Sequence, residues 1–167
     1  IEAACTDIGR YMKPGTFISL ESTTYPTTTE EVMLPIIQQA STQNTNNGTN
    51  TVPLFEGDEE SARTTEGVSD GKKGDTNKPP KFIHGTDFWL AYSPERVDPG
   101  NKAFHTRNTP KVLGAMTPDG LEIGEAIYTK AIDTIHKVSS PRIAEMVKIL
   151  ENTYRLVNIS LINELAL

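Results

Sequence analysis

The sequence predicts an α/β fold, with helices layered on a sheet. Three observations carry that prediction. Short segments rich in β-branched and aromatic residues alternate with segments of helical periodicity. The order is helix, strand, helix, a polar interruption, then strand, strand, helix, strand and a long last helix, and such alternation builds layers around a sheet. The last helix opens on Ser140 as N-cap and Pro141 at the first helical position, where a missing N–H costs nothing.

Taken in order, residues 1–12 read as the closing turns of a helix, stopped by Lys13-Pro14-Gly15. Residues 16–21 are strand-like. The hydroxyl-rich loop Ser22 to Thr29 follows, and Thr28 with Glu31, or Thr27 with Glu30, fits a capping box opening the next helix. Val32, Leu34, Ile36 and Ile37 continue that helix, and Pro35 is expected to kink it or shift its start. Strand, hydroxyl loop and helix N-terminus together suit an anion or nucleotide; a simple cap accounts for the same residues.

Residues 41–80 change character. Val52, Leu54, Phe55 and Val68 are their only large apolar side chains, too few to offset chain entropy, so the stretch reads as a disordered surface insertion. Asn47-Gly48-Thr49 matches a glycosylation acceptor, a match expected by chance in so Asn/Thr-rich a stretch. Residues 87–92 form a strand running into the loop 93–101. A carboxylate at such a strand end, here Glu95, faces the crevice in an α/β fold, although a surface Arg–Glu pair also explains the loop. Residues 111–116 are a strand in which Gly114 allows close backbone approach. Thr117-Pro118-Asp119 starts a helix through Leu121, Ile123, Ala126, Ile127 and Ala131, and residues 135–138 are the last strand. In the long helix Ile143, Val147, Leu150, Tyr154, Val157, Leu161 and Leu165 make an apolar stripe. Glu145, Lys148, Asn152 and Arg155 make a polar one, which on spacing alone reads as solvated surface.

The 167 residues suit one domain, or one and part of another. Sixteen basic against 22 acidic residues give a net charge of −6, which excludes a broad nucleic-acid surface. No apolar run is long enough to span a membrane, and no secretory signal opens the chain. The single Cys5 excludes a disulfide framework and a zinc cluster; it lies with Ile1, Ile8 and Met12 as a packed thiol. His84, His105 and His136 lack metal-ligand spacing, so no metal is expected, and no GxGxxG is present. Both ends stop inside helical patterns, which reads as a fragment.

Three stretches resemble one family, the NAD-dependent UDP-glucose/GDP-mannose dehydrogenases. They are Glu21-Ser22-Thr23-Thr24-Tyr25-Pro26-Thr27-Thr28-Thr29-Glu30, the run from Leu90 to Asn101 containing Ser93-Pro94-Glu95-Arg96, and Ser139 to Leu167. The Ser-Pro-Glu-Arg form is more similar to the UDP-N-acetyl-hexosamine dehydrogenases than to the UDP-glucose branch, whose second Glu falls on Pro99 here. Thr27 stands where the family usually has Gly. The resemblance implies a partial Rossmann-like NAD-binding domain over 1–138, interrupted at 41–80, and the start of a central dimerisation helix over 139–167. It implies oxidation of a UDP-sugar C6 alcohol to a carboxylate, with NAD as cofactor, in a cytoplasmic homodimer joined through that helix. It assigns Thr23 to the nicotinamide and an active-site water, with Ser22, Thr23 and Glu95 on the cofactor side. Glu95 is assigned acid–base work, and Lys148 and Asn152 the developing oxyanion; a Lys cation and an amide spaced i, i+4 on one helix face suit that task. Glu145 and Arg155 receive only structural roles. The glycine-rich loop and the catalytic cysteine of the family have no counterpart here, so the fragment is expected to be inactive. The rival expectation is a non-catalytic module that uses the long helix as an interface.

Overall fold

The computed structural model describes residues 1–43, 81–96 and 105–166. It contains α1 (Glu2–Tyr11), β1 (Thr16–Leu20), a π-helical segment (Thr28–Met33), α2 (Leu34–Gln43), β2 (Phe88–Tyr92), β3 (Lys111–Ala115), α3 (Pro118–Tyr128), β4 (Ile135–Val138) and α4 (Pro141–Leu165). The α/β expectation holds. Residues 41–43 belong to α2, so the polar stretch starts later than the sequence suggested, and the expected disorder and glycosylation acceptor fall outside the described residues.

The strands form one sheet in the order β1-β2-β3-β4. β1 and β2 are parallel, with Phe17 opposite Trp89 and Leu20 opposite Tyr92. β2 and β3 are antiparallel, joined through Ala91–Ala115 and Tyr92–Gly114. β3 and β4 are again parallel. The strand period of two divides the side chains between the faces. Ile18, Phe88 and Leu90 pack on one face with Cys5, Met33 and Ile37 from the α1/α2 layer. On the same face Tyr92 and Val112 meet Ala144 of α4. Ala91, Leu113 and Ala115 line the other face, under Leu121 and Tyr128 of α3.

The capping chemistry expected for the last helix is present: Ser140 Oγ accepts from the Ile143 N–H at 3.4 Å. Thr117 caps α3 in the same way, through Gly120 N at 3.1 Å. Gly114 brings the start of α4 down onto the sheet. A Cβ there would lie 2.3 Å from Ser140 O, so only glycine allows the approach. α4 therefore runs back over the sheet from a fixed origin, with Pro141 and Ala144 buried beneath its first turns.

Candidate active site

The loops carrying Thr23 and Glu95 leave the sheet at the same edge. β1 and β2 end there together: Ser93 N donates to Leu20 O at 2.9 Å, and Glu95 N to Glu21 O at 3.4 Å. β3 begins at that edge because it opposes β2, and Ser93 Oγ donates to Val112 O at 2.8 Å.

α4 arrives over this edge with the first part of its polar stripe, Glu145 and Lys148, turned inward, which corrects the expected solvated face there. Arg155 is exposed as expected. Glu145 is fully buried, whereas Leu150 and Tyr154 of the apolar stripe are 65% and 72% exposed. The cause is geometric. The first turns touch the sheet through Ala144 and Val147, and from Thr153 onward the described residues of the helix are exposed.

The inward stripe binds both loops. Lys148 Nζ donates to Glu95 O at 2.6 Å. One turn on, Glu151 pairs with Arg96 at 2.5 Å, with both side chains less than a third exposed, and Arg96 Nη1 also donates to Pro110 O at 3.3 Å. Lys148 thus reaches the main chain of Glu95. The Glu95 carboxylate turns back to accept from Arg96 N at 2.8 Å. A half-open hollow lies beside it, lined by Pro94, Arg96, Thr109, Lys111 and Ile132.

Glu145 holds the other loop. Its Oε2 accepts from Thr27 N at 2.6 Å; its Oε1 accepts from Thr29 N at 2.9 Å and Thr29 Oγ1 at 2.7 Å. The expected capping box is not formed. The Thr27 side chain makes no cap bond, Thr28 Oγ1 donates to Tyr25 O at 2.6 Å, and Glu30 pairs with Arg142 at 2.6 Å. Thr27 has a left-handed backbone with φ of 84°, and the N–H groups of residues 27 and 29 converge on the Glu145 carboxylate as a small anion nest. A carboxylate from α4 therefore fills the place at the helix N-terminus that the sequence offered to an outside anion. Pro35 falls just inside α2, after the π-helical segment, so it shifts the start of the α-helix as expected.

Tyr92 braces the same loop by donating from its hydroxyl to Ser22 O at 3.2 Å. Burial, and then the nearby Glu145 carboxylate, push the Tyr92 pKa up, which keeps the hydroxyl a donor. Ser22 and Thr23 are exposed at the loop tip, Asn152 is half-buried one turn beyond Lys148, and Arg155 is exposed. Among the described residues no hydrogen bond joins Thr23 or Asn152 to the Lys148–Glu95 contact. Cys5 is buried with its thiol pKa raised, chiefly by burial, as expected for a packing residue.

One polar cluster was not foreseen. Tyr128 O–H donates to Glu21 Oε1 at 2.5 Å and lies 2.9 Å from Ser19 Oγ. Lys111 Nζ sits 3.3 Å from Glu21 Oε1 and 5.1 Å from the centre of the Tyr128 ring. Burial and the Glu21 bond raise the Tyr128 pKa strongly. The only signal in the sequence was the alternation Phe17, Ser19, Glu21, which puts two polar residues on the α3 face of the strand.

No family model matches the chain. Over 165 residues, 98% of this chain, it is 32% identical to the UDP-N-acetyl-D-glucosamine 6-dehydrogenase of Pseudomonas aeruginosa. Over the same length it is 31% identical to Protein CapL of Staphylococcus aureus. The chain spans 30% of the length of each of these relatives. The native structure of the UDP-N-acetyl-mannosamine dehydrogenase Cap5O of Staphylococcus aureus superposes on 98% of the chain, with a TM-score of 0.66 and 27% identity, over 30% of its own length. Fold and relatives agree: the chain is similar over nearly its whole length to part of enzymes named as UDP-sugar dehydrogenases. Its homologues carry the names UDP-N-acetyl-D-glucosamine 6-dehydrogenase and UDP-N-acetyl-D-mannosamine dehydrogenase.

Proposed function

We propose that this chain is part of an NAD-dependent dehydrogenase that oxidises the C6 alcohol of a UDP-N-acetyl-hexosamine to a carboxylate in two hydride transfers. The observation that carries the reading is the contact of Lys148 Nζ with Glu95 O at 2.6 Å. It puts a cation from the helix and an acid-bearing strand tip at one place. In this reading Lys148, with the Asn152 amide one turn on, stabilises negative charge developing on the reacting oxygen. Glu95, exposed at the tip, moves protons.

NAD, when bound, accepts the hydride. The exposed hydroxyls of Ser22 and Thr23, at the carboxyl end of a strand, suit the polar nicotinamide amide. Glu145 fills the helix N-terminus beyond them, so that position suits no pyrophosphate. Residues 1–138 then form part of the cofactor-binding domain, and 139–167 begin a central helix whose bare apolar face joins two copies.

The test uses a chimera in which this chain replaces the matching 165 residues of the Pseudomonas aeruginosa relative. NADH formation from UDP-N-acetyl-D-glucosamine is expected. Lys148→Ala should lower kcat by about a hundredfold or more, the scale for losing one oxyanion donor, with the circular dichroism spectrum unchanged. Undiminished turnover in that variant rejects the role of Lys148. The 167-residue chain alone is expected to produce no NADH.

A further inference from the structure

We infer that Glu145 is a positioning residue of this site: it holds the Thr23 loop in a conformation that the loop's own sequence disfavours. The inference rests on the proposed dehydrogenase reading for its catalytic consequence, and on the geometry alone for the clamp.

Three independent features meet at one point. Glu145 is a fully buried acid with both carboxylate oxygens bonded. Its partners lie 116 and 118 residues away in sequence, so the contact is tertiary and not a local cap. Thr27, the first partner, is the only described non-glycine residue with a positive φ. A β-branched residue is a poor choice for that region. The segment that follows, Thr28–Met33, is π-helical, a form found mostly as local irregularity near functional sites.

The features explain one another. A left-handed turn at Thr27 is needed to aim the amides of Thr27 and Thr29 at a single acceptor. The threonine backbone resists that turn, and Glu145 supplies the attraction that holds it. Lys148 follows Glu145 by three residues on the same helix face. One rigid turn of α4 therefore fixes the loop bearing Ser22 and Thr23 relative to the lysine that touches Glu95. Gln at position 145 keeps the shape but replaces one oxygen with an NH2 group, which must face a donor N–H.

The test has two arms. In the 15N-labelled 167-residue chain, Glu145→Gln should speed amide hydrogen exchange at Thr27 and Thr29 by about tenfold or more, with exchange in β2 and β3 unchanged. Adding Thr27→Gly, which removes the backbone resistance, should recover most of the protection. A stabilising substitution in α1 should not. Thr29→Val, which deletes one donor and keeps both amides, should give a smaller acceleration and serves if the Gln variant folds poorly. In the chimera, Glu145→Gln should lower kcat by about a hundredfold, the scale of a small misplacement, with KM little changed, and Thr27→Gly should restore part of it. Unchanged exchange at Thr27 and Thr29 overturns the clamp. Faster exchange with kcat intact overturns the positioning role. Both are distinct from failure of the dehydrogenase reading, which appears as a folded parent chimera that forms no NADH from UDP-N-acetyl-D-glucosamine.

Discussion

Thr27→Gly is expected to stabilise this protein, although glycine usually destabilises a folded chain. With φ of 84°, Thr27 occupies a region where a Cβ crowds the following carbonyl, at a cost of about 1–2 kcal/mol. Glycine removes that cost but adds freedom to the unfolded chain, worth about 0.5–1 kcal/mol in the opposite sense. No cap hydrogen bond is lost with the side chain, and the main-chain N–H that donates to Glu145 at 2.6 Å remains. The balance is a gain of about 0.5 kcal/mol, or about 1–2 °C in Tm for a domain of this size. Thermal unfolding followed by circular dichroism, with urea midpoints as a second measure, resolves such a shift. Thr27→Val is the control. It keeps the β-branch and the strain and should stay within about 0.5 kcal/mol of the parent. A Tm that falls in the glycine variant would refute the reasoning, because it would mean that the left-handed turn carries no cost for threonine here.

Two further outcomes follow from the geometry. His84 Nε2 accepts from Leu90 N at 3.2 Å, and its ring meets Phe88 edge to face with centroids 5.4 Å apart. Burial lowers its pKa from 6.5, so the folded state holds it neutral while the unfolded chain takes up a proton. Stability should be flat in this respect above about pH 6.5, fall below it, and level off once the folded-state pKa is passed. Urea unfolding across that range should show the fall in the parent and a flatter profile in His84→Gln; identical profiles would reject the assignment. The apolar face of α4, with Leu150, Tyr154 and Leu161 all more than half exposed, should make the purified chain self-associate. Light scattering should show a mass that rises with concentration, reduced by Leu150→Glu with Tyr154→Glu; a monomer at every concentration would contradict this.

Much of the scaffold was legible because its signals are local. The strands at Thr16–Leu20 and Lys111–Ala115 announce themselves by β-branched and apolar runs, and α4 by Ser140 and Pro141 at its start. Gly114 was readable as a close approach, though not as an approach to Ser140 in particular. The sheet order was not legible, since the antiparallel step from β2 to β3 depends on a connection whose path no pattern encodes. The capping box was misread for a related reason. Thr28 and Glu31 have the right spacing, but the choice between a side-chain cap and a distant carboxylate is made by tertiary structure, 116 residues further along the chain. Thr27, standing where the family usually has glycine, was the one local hint of the left-handed turn.

The inversion of α4 bears most on function. Periodicity reveals two stripes on a helix; which one turns inward depends on what the neighbouring surface offers. At the carboxyl edge of this sheet the neighbours are loop main chains, and these present N–H and C=O groups. An apolar stripe laid there would leave those groups without partners, at about 1–3 kcal/mol for each one buried. Glu145 satisfies the amides of Thr27 and Thr29, Lys148 the carbonyl of Glu95, and Glu151 the guanidinium of Arg96. These residues fall at i, i+3 and i+6, along one face of less than two turns. The stripe that fits the loops therefore also fixes both to one helix, and the apolar stripe from Leu150 onward is left exposed. A helix serving only to fill the core of this domain would have been turned the other way.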